Sequence, residues 1–152
     1  MTNHRRTAFA GTVATLIVVD LAIKSWAVRS LDDSPVELPG PLDLQLSYND
    51  GIAFGLLDRL PAALLICASL VIAALLVRAW NMGQTPTAPT AMIVAGAIAN
   101  SLDRLESGSV VDMLHPGWWP TFNIADIYIT TGVALWAART IRPARTIGAN
   151  CP

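Results

Sequence analysis

Residues 8–28 form an apolar run whose only charges, Asp20 and Lys24, sit near its end. About 20 apolar residues in helical form span the hydrocarbon core of a bilayer. A run that long is hard for a small water-soluble fold to hide, because small domains have much surface per volume. Three further segments read the same way. Residues 60–80 contain one early proline, Pro61, and one late arginine, Arg78. Residues 88–102 are shorter and carry Asn100 near their end. Residues 124–141 carry Asp126 in the first turn and Arg139 in the last. The pattern predicts an α-helical integral membrane protein with four transmembrane helices. Composition agrees: 53% of the 152 residues are hydrophobic and 14% charged, against about 25% charged in soluble domains. Such a chain is not disordered. A net charge of −1 and a pI near 6.0 leave no positive field for nucleic acid. Two cysteines, Cys67 and Cys151, do not make a disulfide framework.

A cleaved signal peptide is the rival reading of the first run, since Arg5 and Arg6 precede it and Ser25-Trp26-Ala27 offers a small-x-small site. The run is too long for that, and Asp20 and Lys24 lie where cleavage would be prepared. Cys67 follows Leu65-Ile66, without the small residue expected before a lipid-modified cysteine. Orientation follows from the basic residues. With four spans, one side holds Arg5, Arg6, Arg78, Arg139, Arg142 and Arg145 and no acid. The other holds Lys24, Arg29, Arg59 and Arg104 with all 11 acids. Both termini are therefore expected in the cytoplasm. Trp26, Trp118 and Trp119 would mark the outer interface, Trp80 and Trp136 the inner one. The polar residues that interrupt spans then gather at the outer end: Asp20, Lys24, Asn100, Asp103, Arg104, Asn123 and Asp126. Polar groups at one depth suggest a site at the outer leaflet.

Between the first two helices, Leu42-Asp43-Leu44-Gln45-Leu46-Ser47-Tyr48 alternates apolar and polar residues, as a half-buried strand does. Asn49-Asp50-Gly51 signals a turn, and a small extracytoplasmic β element is expected over about residues 36–55. Residues 81–89 read as a short cytoplasmic turn. The expected organisation is one membrane-embedded domain, 1–142, with a polar cytoplasmic tail, 143–152.

Each polar group has a plain structural reading. Asp20 and Lys24 are four apart and can pair across one helix face, tethering the first helix to its neighbours. Asn49 to Gly55 reads as a turn, with Phe54 placed to dip into lipid or cover a substrate. Asn100, Asp103 and Arg104 share a face of the third helix and read equally as a helix end. Val110-Val111-Asp112-Met113-Leu114 reads as extended, and desolvation there would raise the Asp112 pKa. Asn123 reads as an N-cap, with Asp126 three residues on completing a capping box. That same helix terminus favours a carboxylate at Asp126. His4 and His115 are too far apart in sequence for a metal motif.

Two acids, Asp112 and Asp126, flank a short aromatic loop. Carboxylates that share one proton can activate water against a peptide bond without metal. With that chemistry in view, the chain resembles the signal peptidase II family of membrane aspartic proteases, which process lipoproteins. Asn49-Asp50-Gly51-Ile52-Ala53-Phe54-Gly55 matches the family's N-x-G-x-A-F-G motif. Ala95 to Arg104 resembles G-G-x-x-G-N-x-x-D-R. Val110-Val111-Asp112-Met113 resembles V-V-D-F, and Phe122-Asn123-Ile124-Ala125-Asp126-Ile127-Tyr128-Ile129 matches F-N-x-A-D-x-x-I. The resemblance implies catalysis by Asp112 and Asp126. It implies supporting or substrate-binding roles for Asp20, Lys24, Asn49, Gly51, Phe54, Asn100, Asp103, Arg104 and Asn123. It implies cleavage of a prolipoprotein before a diacylglyceryl-modified cysteine, in the bacterial cytoplasmic membrane, by a monomer in contact with membrane lipid, with no cofactor, metal or nucleic acid.

Ala95 and Ala99 replace motif glycines, and Met113 replaces an aromatic. These departures motivate an alternative, a divergent non-catalytic paralogue that binds lipoproteins or lipids. A small transporter subunit is less well matched, because its polar groups would line both halves of the membrane.

Overall fold

The computed structural model describes residues 3–31, 34–51 and 61–141. Phe54, the rest of residues 52–60, and the tail 143–152 lie outside the described residues, as do Arg59, Arg142 and Arg145. In chain order the elements are α1 (Asn3–Ser30), β1 (Asp43–Asn49), α2 (Ala62–Asn81), α3 (Thr87–Ser107), β2 (Val110–His115) and α4 (Ile124–Ile141). Among the described residues, α1 and α2 are long and apolar enough to cross a membrane.

The fold is built around α3, which packs on α1, α2 and α4. Its sequence explains its place. Ala91, Ala95, Gly96, Ala97 and Ala99 keep its surface narrow, and all are buried. Small residues let helix backbones approach closely where lipid supplies no hydrophobic drive. The closest approach is to α4. A Cβ on Gly96 would stand 2.5 Å from the Ala125 carbonyl oxygen and 2.7 Å from Ile129 Cγ1. A Cβ on Gly132, lower on α4, would meet Ile93 Cγ1 at 2.7 Å. The methyls of Ala95 and Ala99 are fully enclosed, so those two departures are packed into the bundle.

The burial pattern is that of a protein solvated by lipid. Val18 and Val19 on α1, Leu64, Val71 and Leu75 on α2, and Val133 on α4 are exposed, whereas Asp20, Lys24, Asn100, Asp103, Asp112 and Asn123 are buried. Charged groups inside a membrane protein face its interior and one another. They also explain why α3 runs past the expected end at residue 102 to Ser107. Asn100 and Asp103 are paired inside the bundle, so their polarity does not terminate the helix. It ends at Gly108, whose left-handed φ of 82° closes it through a hydrogen bond to the Arg104 carbonyl.

At the opposite end of the bundle, the start of α1 meets the α2–α3 turn. Phe9 stacks on Trp80 with centroids 4.0 Å apart, and the Arg5 guanidinium lies 4.8 Å above the Trp80 ring. Trp80 Nε1 and Arg5 both donate to Thr87 Oγ1. Trp80, expected at the inner interface as a lipid anchor, is thus enclosed by protein.

The strand expected around residues 42–48 forms, and so does the extended segment at 110–114. They pair with each other, antiparallel, with Ser47 opposite Asp112 and Asn49 opposite Val110. Between Leu44 and Ser47 the register slips. Asn49-Asp50-Gly51 is an Asx turn, in which Gly51 N–H donates to Asn49 Oδ1 at 3.0 Å. Under the sheet, Met113 is buried against Ala27 and Leu31, so the residue that departs from the aromatic pattern fills core volume.

Gly96→Ala should cost about 1–3 kcal/mol, because the carbonyl it would strike belongs to the backbone of α4. Gly11→Ala, which would meet nothing within 4 Å, should not destabilise, since alanine is the better residue inside a helix. Denaturant unfolding in detergent micelles compares the two.

Candidate active site

The N-terminus of α4 organises the site. Asn123 precedes the helix, and its Oδ1 accepts the Asp126 N–H at 3.0 Å. Asp126 Oδ2 accepts the Asn123 N–H in return at 3.2 Å. This is the expected capping box, with Asp in place of the usual Glu. The box leaves the Ala125 N–H without a partner inside the helix, and Asp20 Oδ1 accepts it at 2.7 Å. The last helix is thereby fastened to the first.

The cap residue also faces inward. Asn123 Nδ2 donates to Asp112 Oδ1 at 2.7 Å and to Asn100 Oδ1 at 3.2 Å. Asn49 Nδ2 donates to Asp112 Oδ2 at 3.1 Å. Strand register makes this possible, since Asn49 is the diagonal neighbour of Asp112 across the sheet. Asn100 Nδ2 donates to Asp126 Oδ1 at 3.0 Å. Each acid therefore accepts from two donors, and Asn123 serves both.

Lys24 stands behind this layer. Its ammonium donates to Asn100 Oδ1 at 2.8 Å and pairs with Asp20 Oδ2 at 2.9 Å and Asp103 Oδ2 at 2.8 Å. These three groups surround the ammonium. Asp103 Oδ2 also accepts the Val111 N–H at 3.3 Å, tying α3 to β2. The expected ion pair with Asp20 is present. The partner of Asp103 is Lys24 rather than its sequence neighbour Arg104. Arg104 instead donates to the carbonyls of Asn100 and Gly51, holding the Asx turn against α3.

Asp112 and Asp126 line one cavity of about 870 Å³, together with Asn49, Asn100 and Arg104. Its other walls are largely apolar, with Leu65 and Ile72 from α2 and Ile127 from α4. Burial and, to a lesser degree, the neighbouring Asp126 charge together raise the Asp112 carboxyl from 3.8 to about 6. The hydrogen bonds from Asn49 and Asn123 oppose this without cancelling it. Asp112 thus holds a proton more readily than an ordinary carboxyl does, with Asp126 beside it on the same cavity wall. That is the condition in which one carboxyl donates a proton while the other accepts one.

Of the residues singled out from sequence, Asp20, Lys24, Asn49, Gly51, Asn100, Asp103, Arg104, Asp112, Asn123 and Asp126 come together in this network. Phe54 lies outside the described residues. His115 stays apart from the acids, its Nδ1 3.3 Å from Thr121 Oγ1. Sequence reasoning missed the Asp20–Ala125 bond and the place of Trp119 and Thr121 in the cavity wall. The capping box was the available signal for the first, since it leaves a backbone donor in need of a partner.

The family model for Signal peptidase (SPase) II matches residues 12–142. The lipoprotein signal peptidase of Syntrophomonas wolfei is 35% identical over 128 residues, covering 82% of this chain and 86% of that relative. The lipoprotein signal peptidase of Sulfurihydrogenibium sp. is 34% identical over 148 residues, covering 88% of this chain and 91% of the relative. A solved bacterial membrane enzyme shares the fold with a TM-score of 0.82 at 20% identity, over 96% of this chain and 94% of its own.

Two outcomes follow from the network. Lys24→Met leaves Asp20 and Asp103 buried without a cation, and should cost about 3–5 kcal/mol in detergent unfolding. The second concerns pH. A carboxyl raised on folding stabilises below its unfolded pKa of 3.8, and the gain is lost as pH rises through about 6. The stability difference between the native protein and Asp112→Asn should therefore shift by about 2–3 kcal/mol against the native protein from pH 4 to pH 7, then level off. Denaturation series at several pH values measure it.

Proposed function

Because the chain belongs to the signal peptidase II family, we propose that Asp112 and Asp126 are the catalytic pair of an aspartic endopeptidase. As a member of that family it is a membrane protease that removes signal peptides from prolipoproteins. The proposal adds the cut site, immediately before a cysteine carrying diacylglycerol. One observation carries the assignment of the acids. Both line the same cavity, and Asn123 donates to each of them, through Nδ2 to Asp112 and through its backbone N–H to Asp126.

The chemistry follows from their surroundings. Asp112, raised by burial, holds the proton and gives it to the oxygen of the scissile carbonyl. Asp126, at the helix N-terminus, takes a proton from the attacking water, whose oxygen bonds to the carbonyl carbon. The tetrahedral intermediate then collapses. Asp126 returns its proton to the departing amine of the cysteine, and Asp112 recovers its own. Asn49, Asn100 and Asn123 hold the acids in register, and Lys24 holds Asn100.

In this reading all four helices cross the membrane, both termini are cytoplasmic and the acids lie at the outer leaflet of the bacterial cytoplasmic membrane. Two features support that placement. The start of α1 meets the end of α2 and the start of α3 around Arg5, Trp80 and Thr87, opposite the acids. Apolar walls contributed by α2 and α4 suit a substrate whose acyl chains stay in lipid. The enzyme acts as a monomer on a lipid-anchored substrate.

Asp112→Asn and Asp126→Asn should each lower cleavage of a diacylglyceryl-modified prolipoprotein by at least about 10³-fold, while the protein remains folded. A gel-shift assay in proteoliposomes reads the processed product, with circular dichroism as the folding control. Normal cleavage by either variant would remove the pair from the mechanism.

A further inference from the structure

The loop between β2 and α4 is held at both ends and carries two adjacent indoles. Leu114 and Phe122 exchange backbone hydrogen bonds, Phe122 N–H to the Leu114 carbonyl at 3.0 Å and the reverse at 2.9 Å. Within the loop Trp118 N–H donates to the Pro116 carbonyl at 2.9 Å, and Gly117 adopts a positive φ of 75°. Pro116 and Pro120 restrict the chain on either side. The result is a stapled protrusion. The two rings stand edge to face, centroids 5.4 Å apart and planes at 74°. Trp119 turns into the wall of the cavity that holds Asp112 and Asp126. Trp118 is left 82% exposed, more than any other large hydrophobic side chain among the described residues.

An indole on a fixed turn gains nothing from water along its apolar body, and its N–H gains nothing from hydrocarbon. The headgroup region satisfies both. We propose that Trp118 is the bilayer-facing lip of the cavity: it seats among phospholipid headgroups, and the stapled loop thereby sets the depth at which the acids meet a lipid-anchored substrate. The occupant is bilayer phospholipid, because Trp118 is exposed beside the Trp119 ring of the cavity wall in a membrane protein. The role in substrate presentation rests on the proposed function; the seating of Trp118 does not.

The test uses the full chain in phospholipid vesicles, with Trp26, Trp80, Trp119 and Trp136 changed to Phe so that Trp118 is the only indole. Lipids brominated near the carbonyl end of the acyl chain should quench its fluorescence strongly, and lipids brominated near the methyl end weakly. Quenching by aqueous iodide with none by brominated lipid would overturn the proposal. So would quenching that appears only on addition of a substrate with brominated chains, which would make the indole a substrate contact. If that variant does not fold, Trp118→Cys in the otherwise native sequence, carrying a nitroxide label, reports depth by its accessibility to oxygen and to a water-soluble nickel chelate. Nickel-chelate accessibility without oxygen accessibility would overturn it. In the native background Trp118→Ala should raise KM about fivefold for prolipoprotein embedded in vesicles, with kcat unchanged and with no KM change in detergent micelles. An unchanged KM in vesicles would overturn the role in presentation. Failure of the native protein to cleave would count against the proposed function, and the quenching would still decide where Trp118 sits.

Discussion

A buried ammonium needs anions and acceptors around it, and Lys24 obtains them from two helices. Asp20 lies one turn back on α1, and Asp103 and Asn100 lie on α3. In a low-dielectric interior an unpaired charge is costly, so these contacts constrain how α1 and α3 can be placed. Asp20 then spends its second oxygen on α4, and Asp103 shares its own with β2. A single cation thus fixes four elements relative to one another. The acids of the site are positioned by neutral amides attached to this frame, so the groups proposed for chemistry are separate from the groups that carry fixed charge.

The amides serve as spacers with direction. An asparagine offers an acceptor and two donors, and Asn100 uses both kinds at once. Its oxygen takes hydrogens from Lys24 and Asn123, and its nitrogen gives one to Asp126. That choice fixes which end of the amide faces the acid. Asn123 repeats the device at the cap of α4, where a structural motif and a site residue are the same side chain. A capping box and an acid pair are therefore compatible roles for one stretch of sequence, as the residues Asn123 to Asp126 illustrate.

Much of this was legible beforehand, for a physical reason. Lipid demands apolar runs, so the helices announce themselves, and charge inside such runs announces a site. Asp112 and Asp126 were singled out on that ground and through motif resemblance, and they line one cavity. The boundaries were less legible. The end of α3 was set too early because hydropathy reads polarity along the chain and not by face. Strand pairing was hidden because α2 and α3 separate Asn49 from Val110 along the chain. The Asp20–Ala125 bond was hidden because its donor is backbone and has no letter in the sequence. Trp80 looked like a lipid anchor because ring stacking with Phe9 depends on how two distant helix ends meet.

The i, i+4 pairing of Asp20 and Lys24 also bears on how the chain is made. The first helix leaves the ribosome before α3 or α4 exists, so neither Asp103 nor Ala125 is there to receive it. A span with a lone acid or a lone amine would enter hydrocarbon at considerable cost. Carrying both on one face makes α1 a nearly neutral segment, its two charges able to meet within one turn of helix. The same two residues that join the finished bundle can thus satisfy each other within α1 alone, and Asp20 still has an oxygen for the Ala125 N–H of α4.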